Sequence, residues 1–393
     1  MTGKESGQGT VSSTIARAVL DAGAKVVTYV PGHGANEVFA DLNRLARTQY
    51  PVSFHEEVAY SIAHGAALTG TRSVTLLKSL GLVKAGNSVS DSLYSGTTAG
   101  FLTIIFHDSI GESSESIFDT EAFLHGIGMP YEVADILSIH RQIFGLFVQS
   151  EKRSLPYALI VEAHDVAQPG ATLDWPVPTF TLPEYRRDIV KTVLCPYFSA
   201  YQGNVLKYKN EGLDWASLPR PAVPGLTDRR LAKWKHVIDS YAGLFSEFRS
   251  IRGSMVTGDT GGSSLFAFEP YNCIDITTYM GGSVPLAIGA YLGGYHDVWA
   301  VTGDFAFIAA GHLGLLEVQQ RGIPLKVLVL FNRMAASTGG QPVPENSLET
   351  VLAGYKEHLL FINNPEDGSE IRSVLQAAKD AAEMRIVVAD YRK

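Results

Sequence analysis

The sequence predicts an α/β protein: two doubly wound parallel-sheet domains joined by a long connector. Three observations predict it. Strand and helix signals alternate in each half, the strand segments are continuous apolar runs, and 393 residues exceed what one ordinary hydrophobic core holds. The expected boundaries are 1–190 for the first domain, 191–235 for a connector or insertion, and 236–393 for the second domain.

In the first half, residues 11–22 carry apolar side chains at helical spacing and run into Gly23. KVVTYV (25–30) reads as a strand stopped by Pro31-Gly32, and 35–46 as an amphipathic helix. A helix rich in small residues follows over 58–70, then a strand over 73–78 that ends in Ser79-Leu80-Gly81-Leu82. Further strands are expected at 100–108 and 157–165. Residues 166–190, rich in proline and threonine, read as connector. From 191 to 229 periodic signals are few, and a linker and a structured wrap are equally compatible with the sequence. The second α/β block begins with a helix over 233–251. Strands are expected at 253–259, 298–304, 325–332 and 385–390, the last after a helix over 369–383.

Composition bounds the function. Hydrophobic residues make up 46% and charged residues 18%, which is globular rather than disordered. The formal charge of −8 argues against nucleic-acid binding. No run of eighteen uncharged apolar residues suggests a membrane helix, and the polar start MTGKESGQGT lacks the apolar core of a secretory signal, so a cytoplasmic protein is expected. The two cysteines, Cys195 and Cys273, form no CxxC pair and support neither a zinc site nor an iron–sulfur cluster.

The sharpest feature is a strand–helix–strand unit in the second half. VWAVTGD ends in Asp304, LKVLVLFN ends in Asn332, and one such unit sets neighbouring strand ends side by side, where ligands of open α/β sheets bind. A carboxylate, an amide oxygen and a backbone carbonyl suit magnesium. Locally, a helix cap at Asp304 and a turn at Asn332 account for the same residues as well. Upstream, Gly258-Asp259-Thr260-Gly261-Gly262-Ser263-Ser264 follows a strand. Its backbone N–H groups could cradle phosphate oxygens, or form only a tight turn.

These residues together resemble the thiamine-diphosphate (ThDP)-dependent enzymes, whose cofactor motif matches Gly303-Asp304, the spacer and Asn332. The resemblance implies Asp304, Asn332 and the main-chain oxygen of Met334 as ligands of Mg2+. Phe305 stands where the family usually has glycine. Gly261, Gly262 and Ser263 fall where diphosphate is contacted. Tyr279-Met280-Gly281-Gly282-Ser283 resembles the aminopyrimidine-clasping segment, with the Met280 amide and the Thr278 carbonyl bonding the ring and the Met280 side chain bending the cofactor. The segment after Asn332 resembles phosphonopyruvate and sulfopyruvate decarboxylases and arylpyruvate:ferredoxin oxidoreductases.

In the first half, His55-Glu56-Glu57-Val58-Ala59 resembles the family's segment carrying the acid that relays a proton with the pyrimidine, which assigns that role to Glu56. A pair of acids favouring a helix N-terminus explains Glu57 without chemistry. His33, after Pro31-Gly32, occupies a substrate-facing place and could shuttle a proton, or be an ordinary loop histidine. Lys78 either offsets a substrate carboxylate or caps a strand edge; His107-Asp108 is a weaker candidate of the same kind. The resemblance spans about 11–165, as a pyrimidine-binding domain, and 236–393, as a diphosphate-binding domain. It implies a homodimer or homotetramer with sites at the subunit interface.

The leading functional expectation is non-oxidative decarboxylation of a 2-oxo acid to an aldehyde and CO2. Close alternatives are the catalytic part of a 2-oxo-acid oxidoreductase, which Val193-Leu194-Cys195-Pro196 resembles, and a carboligase. A cofactor-free binding or regulatory subunit is the alternative from another class. Glu56, Asp304 and Asn332 standing together argue against it.

Overall fold

The computed structural model describes residues 9–170, 179–226 and 228–392. Residues 1–8 of the polar lead-in and 171–178 of the Pro/Thr-rich stretch therefore lie outside the described residues. The chain forms two compact units, Met1–Tyr185 and Arg186–Lys393.

The first unit holds α1 (Val11–Asp21), β1 (Val26–Tyr29), α2 (Ala35–Ala46), α3 (Glu56–Leu68), β2 (Ser73–Lys78), α4 (Ser79–Lys84), α5 (Gly86–Ser95), β3 (Phe101–His107), α6 (Thr120–Ile127), β4 (Tyr131–Val133), α7 (Ile139–Arg153) and β5 (Tyr157–Glu162). Its sheet has the order β1-β2-β3-β5-β4, and every pairing is parallel. β2, β3 and β5 are buried along their apolar runs and emerge only at the last residue: Lys78, His107 and Glu162. A sheet covered on both faces leaves only its strand ends for polar chemistry. At the opposite end, buried Arg72 makes a two-pronged ion pair with Glu151 at 2.7 and 2.8 Å and lies 4.1 Å from the centre of the Phe180 ring. Removing one partner of such a pair costs about 3–5 kcal/mol, because the other charge stays buried.

The second unit contains α8 (Ile189–Thr192), α9 (Ser199–Asn210), α10 (Lys235–Ile251), β6 (Met255–Asp259), β7 (Ile276–Thr278), α11 (Ser283–Leu292), β8 (Val298–Gly303), α12 (Asp304–Ala309), α13 (Leu315–Arg321), β9 (Lys326–Phe331), β10 (Met334–Ala335), β11 (Gln341–Pro342), α14 (Ser347–Val351), β12 (Leu359–Ile362), α15 (Gly368–Asp380) and β13 (Arg385–Asp390). The six-stranded parallel sheet runs β12-β13-β9-β8-β6-β7, and β10 and β11 form a separate antiparallel ribbon. α10 buries Val237, Ile238, Tyr241, Leu244, Phe245 and Phe248, the i, i+3, i+4 stripe of a core-facing helix, with Phe245 stacked on Phe266 at 3.8 Å.

The stretch with few periodic signals is structured where it is described. Ile189, Val190, Val193, Cys195 and Phe198 join the core of the second unit, and α9 follows them. Arg187 secures the segment by donating to Asp275 at 2.8 Å and to the Ala267 carbonyl at 2.8 Å. Ser79-Leu80-Gly81-Leu82, read as the end of the strand, is the first turn of α4. The expected strands and helices otherwise recur within a few residues, α3 starting at Glu56 rather than 58.

Candidate active site

In the second unit, β8 delivers Asp304 to the start of α12 and β9 delivers Asn332, with Gly303 and Leu330 in register on the two neighbouring strands. The local geometry keeps part of the cap-and-turn reading: Asp304 Oδ1 accepts the Phe305 N–H at 2.8 Å, and Asn332 Oδ1 accepts the Met334 N–H at 3.0 Å. The second carboxylate oxygen has a longer reach, accepting the Arg333 N–H from the next strand end at 2.6 Å. Arg333 adopts a left-handed φ of 57°, uncommon for a residue with a side chain, and the ribbon β10–β11 begins directly after it. Burial pushes the Asp304 carboxyl above the usual carboxylate range, and the Phe305 and Arg333 N–H groups pull it back.

Both residues line a cavity of about 880 Å3 in this unit. Gly261, Gly262, Ser263, Met280, Gly303, Phe305 and Met334 line it as well. Thr278 does not line it. It is buried, and its carbonyl accepts the Thr260 N–H at 2.6 Å as β7 pairs with β6. Gly261 has φ 136°, open to glycine alone, at the turn that brings its own and the next two backbone groups to the cavity. Gly281, at φ 87°, has its Cα so close to the next segment that a Cβ would lie 2.6 Å from the Gly311 nitrogen and 2.8 Å from the Ala306 oxygen.

Three residues of this site had no role in the sequence reading. Asp259, fully buried, accepts the Thr302 hydroxyl at 2.5 Å and the Ser283 N–H at 2.9 Å; it thereby ties the turn after Met280 to β6 and β8. Burial pushes its carboxyl up to about 6. The residue was visible in the Gly-Asp-Thr-Gly-Gly run, yet nothing local marks an acid as buried. Tyr241 and Tyr391 also line the cavity, and their rings meet edge to face at 4.5 Å. Tyr241 had a signal, as part of the apolar stripe of α10, but that stripe reads only as core.

The first unit places its candidates at the carboxyl ends of its strands. Lys78 Nζ donates to the Ser113 carbonyl at 2.7 Å, and His33 Nε2 stands 3.8 Å from the Glu112 carboxylate. The loop carrying both partners is held by Asp108, which accepts the Ser113 and Glu112 N–H groups at 2.8 and 2.9 Å. Those bonds, the Ser113 one foremost, hold the Asp108 carboxyl down at about 2. His107 Nδ1 meets the hydroxyls of Ser79 and Thr120 at 3.2 and 3.1 Å. Glu56 and Glu57 fall in the first turn of α3, where acids favour the helix dipole. Glu56 pairs with Lys84 at 2.8 Å and crosses Gly81, whose missing side chain makes the room. Burial lowers the affinity of neighbouring His55 for a proton.

Among the described residues no three His, Cys, Asp or Glu side chains converge on one point, so a cation in this chain would rely on amide and main-chain oxygens as well. No described helix is long and apolar enough to cross a membrane.

Comparison with known proteins agrees with this geometry. Residues 259–380 match the family model of the thiamine pyrophosphate enzyme C-terminal TPP-binding domain. The chain is 29% identical over 147 residues to indolepyruvate oxidoreductase subunit IorA of Methanothermobacter thermautotrophicus, covering 36% of this chain and 24% of that protein. To the IorA subunit of Archaeoglobus fulgidus it is 26% identical over 216 residues, covering 52% of this chain and 34% of that one. The chain thus covers less than two thirds of the length of these relatives. In fold it is similar to the thiamine diphosphate-dependent 4-hydroxybenzoylformate decarboxylase of Rhodococcus jostii RHA1, with a TM-score of 0.68 at 14% identity, over 98% of this chain and 99% of that one. Residues 259–380 are thus similar to the C-terminal TPP-binding domain of thiamine pyrophosphate enzymes, and the chain shares the fold of solved thiamine diphosphate-dependent enzymes.

Proposed function

We propose that the protein is a ThDP- and Mg2+-dependent decarboxylase of a 2-oxo acid, releasing an aldehyde and CO2. The observation that carries this reading is the convergence of Asp304 and Asn332, from adjacent parallel strand ends, on one cavity that also takes the Gly261–Ser263 turn. The donors fit the group: all are oxygens, as a magnesium ion demands, and the turn offers backbone N–H groups where a side chain at Gly261 would be strained. In this proposal Asp304, Asn332 and the Met334 carbonyl hold Mg2+. Gly261, Gly262 and Ser263 bind diphosphate, Gly303 and Phe305 close its wall, and Met280 receives the aminopyrimidine, whereas Thr278, buried outside the cavity, takes no part.

Bound there, thiamine diphosphate contributes a thiazolium carbon acid and a sink for the electron pair left when CO2 departs. The chain's own part is proton handling and charge placement. Glu56 holds a proton against the pyrimidine ring, which requires its carboxylate to leave Lys84; half-exposed Lys84 is free to turn to water. Lys78 offsets the substrate carboxylate after exchanging the Ser113 carbonyl for it, and His33 serves as the nearby proton carrier. Glu56 acts with the second unit of another copy, so the working form is at least a homodimer.

A second reading has its own support. The IorA likeness favours the catalytic part of a 2-oxo-acid oxidoreductase, in which electrons pass to a separate acceptor. These 393 residues hold two cysteines, too few to ligate a four-cysteine cluster, so in this reading the electrons pass to an acceptor outside them. The test is incubation of the protein, ThDP and Mg2+ with a panel of 2-oxo acids, following CO2 and aldehyde with and without an artificial electron acceptor. Aldehyde without acceptor is the expected result. A strict acceptor requirement moves the assignment to the oxidoreductase, and no turnover together with no calorimetric binding of ThDP and Mg2+ overturns both.

A further inference from the structure

We propose that Tyr241 is a positioning residue for Asn332: its hydroxyl fixes the side-chain amide so that the oxygen, not the nitrogen, is presented to the cavity. The inference rests on the reading of Asn332 as a cation ligand and assigns a residue that the sequence motif does not contain. The two ends of an asparagine amide have nearly the same shape and opposite polarity. Turned one way, the group offers lone pairs to a cation; turned the other way, it offers two N–H hydrogens, which repel one. A strand end that must bind a metal therefore needs something to hold the amide.

Here the amide is held at both ends. The Met334 N–H, which can only donate, lies 3.0 Å from Oδ1, and Nδ2 donates to the Tyr241 hydroxyl at 2.8 Å. Oδ1 has two lone pairs, so with one taken by Met334 the other remains for the cavity. The donor-only Met334 N–H decides which end of the amide faces which way, and the phenol oxygen, accepting from Nδ2, holds the amide in that orientation. Tyr241 is 8% exposed, sits on the core stripe of α10, and its ring is braced edge-on by Tyr391 at 4.5 Å. The Tyr391 hydroxyl, buried and without a hydrogen-bond partner among the described residues, makes no bond to the amide; that residue contributes its ring. α10 precedes the entire Gly-Asp to Asn motif in the chain, so the contact bridges 91 positions of sequence.

The experiment is calorimetric binding of ThDP with Mg2+ to the full chain in four forms: wild type, Tyr241→Phe, Asn332→Asp and the double variant, with Asp304→Ala as control. Losing one hydrogen bond to the amide should weaken binding about 3- to 10-fold in Tyr241→Phe. The thermal midpoint of the cofactor-free protein should stay within about 2 °C, since the apolar ring remains in place. In the Asn332→Asp background the same removal should change binding less than about twofold, because a carboxylate has two equivalent oxygens and needs no orientation. Equal losses in both backgrounds would mark a merely structural role and overturn the proposal, as would wild-type binding by Tyr241→Phe. The control separates the two levels. If Asp304→Ala binds like wild type, the metal reading falls; if it loses binding while Tyr241→Phe does not, only the role of Tyr241 falls.

Discussion

The two sheets of this protein are built alike and finished differently. Each is fully parallel, and its longer strands are buried until their carboxyl ends, where polar side chains emerge. In the second unit the emerging groups face a shared cavity, and their hydrogen bonds come from backbone N–H groups that leave oxygen lone pairs to spare. In the first unit the emerging groups are occupied by their own surroundings: Lys78 by the Ser113 carbonyl, His33 by Glu112, and Glu56 by Lys84. In the proposed function the second unit's end serves as a preformed site for a cation and the cofactor's diphosphate, and the first unit's end as a set of polar groups whose present partners can be exchanged. The difference matches the tasks proposed for them, since a cofactor's anchor gains from rigidity and proton or substrate handling requires groups that let go.

The contrast predicts two kinds of loss. Asp304→Ala, which removes a proposed cation ligand, should weaken binding of ThDP with Mg2+ by 100-fold or more, on the order of 3 kcal/mol. Glu56→Gln should bind within about threefold of wild type and lose 100-fold or more of turnover, since proton transfer by a placed side chain contributes about 10²–10⁴. Calorimetry and steady-state rates on the two variants check this directly, and a Glu56→Gln protein with normal turnover would reject the relay. Mixing the two inactive variants sharpens it further: if the working site draws Glu56 and Asp304 from different copies, dissociation and reassociation of the mixture should restore part of the activity. A mixture that stays inactive would confine each site to a single chain.

Within the anchor itself, Asp259 predicts a pH effect. Burial, outweighing the Thr302 and Ser283 hydrogen bonds, pushes its carboxyl from an ordinary 3.8 up to about 6 in the fold. A group raised in the folded state binds its proton there while the unfolded chain has lost it, so its contribution is fully present below pH 3.8 and is lost as pH rises through about 6. At about 1.4 kcal/mol per unit, the part of stability due to this residue should fall by up to about 3 kcal/mol between pH 4 and pH 7. Asp259→Asn, permanently neutral, should remove that slope, so its stability relative to wild type should improve across the interval. Urea midpoints at the two pH values read the effect; parallel pH profiles for variant and wild type would show that the buried proton plays no part.

How far the site was legible follows from what each residue's signal depends on. Asp304 and Asn332 could be found because continuous apolar strands end at them, and a strand end in a parallel sheet is a place with a known use. Gly261 and Gly281 could be found because backbone geometry excludes other residues there. Tyr241 could not, because a buried tyrosine on a helical stripe has the same pattern whether its hydroxyl is idle or holding an amide. α4 and the core residues of 189–198 were missed for a related reason: the first is too short to show a period, and the second is made regular by packing against the sheet rather than by its own sequence. The partners that occupy His33 and Lys78 lie on a loop, Glu112 and Ser113, brought there by Asp108 rather than by any local pattern.

That loop supplies the smallest and most discriminating test of the contrast. If Lys78 is a reserve charge, its bond to the Ser113 carbonyl contributes little to the fold, because the pair is exposed to water and such contacts are worth about 1 kcal/mol or less. Lys78→Met should then leave the thermal midpoint nearly unchanged and raise KM for the 2-oxo acid about tenfold, with kcat falling less. Loss of a charge that meets the substrate carboxylate before and during reaction acts chiefly on binding. Lys78→Arg, which keeps the charge but spreads it over a planar group, should recover part of that loss. A lowered midpoint with an unaltered KM would show instead that the lysine only straps its loop, and the first unit's strand ends would then differ from the second's in having no binding role at Lys78.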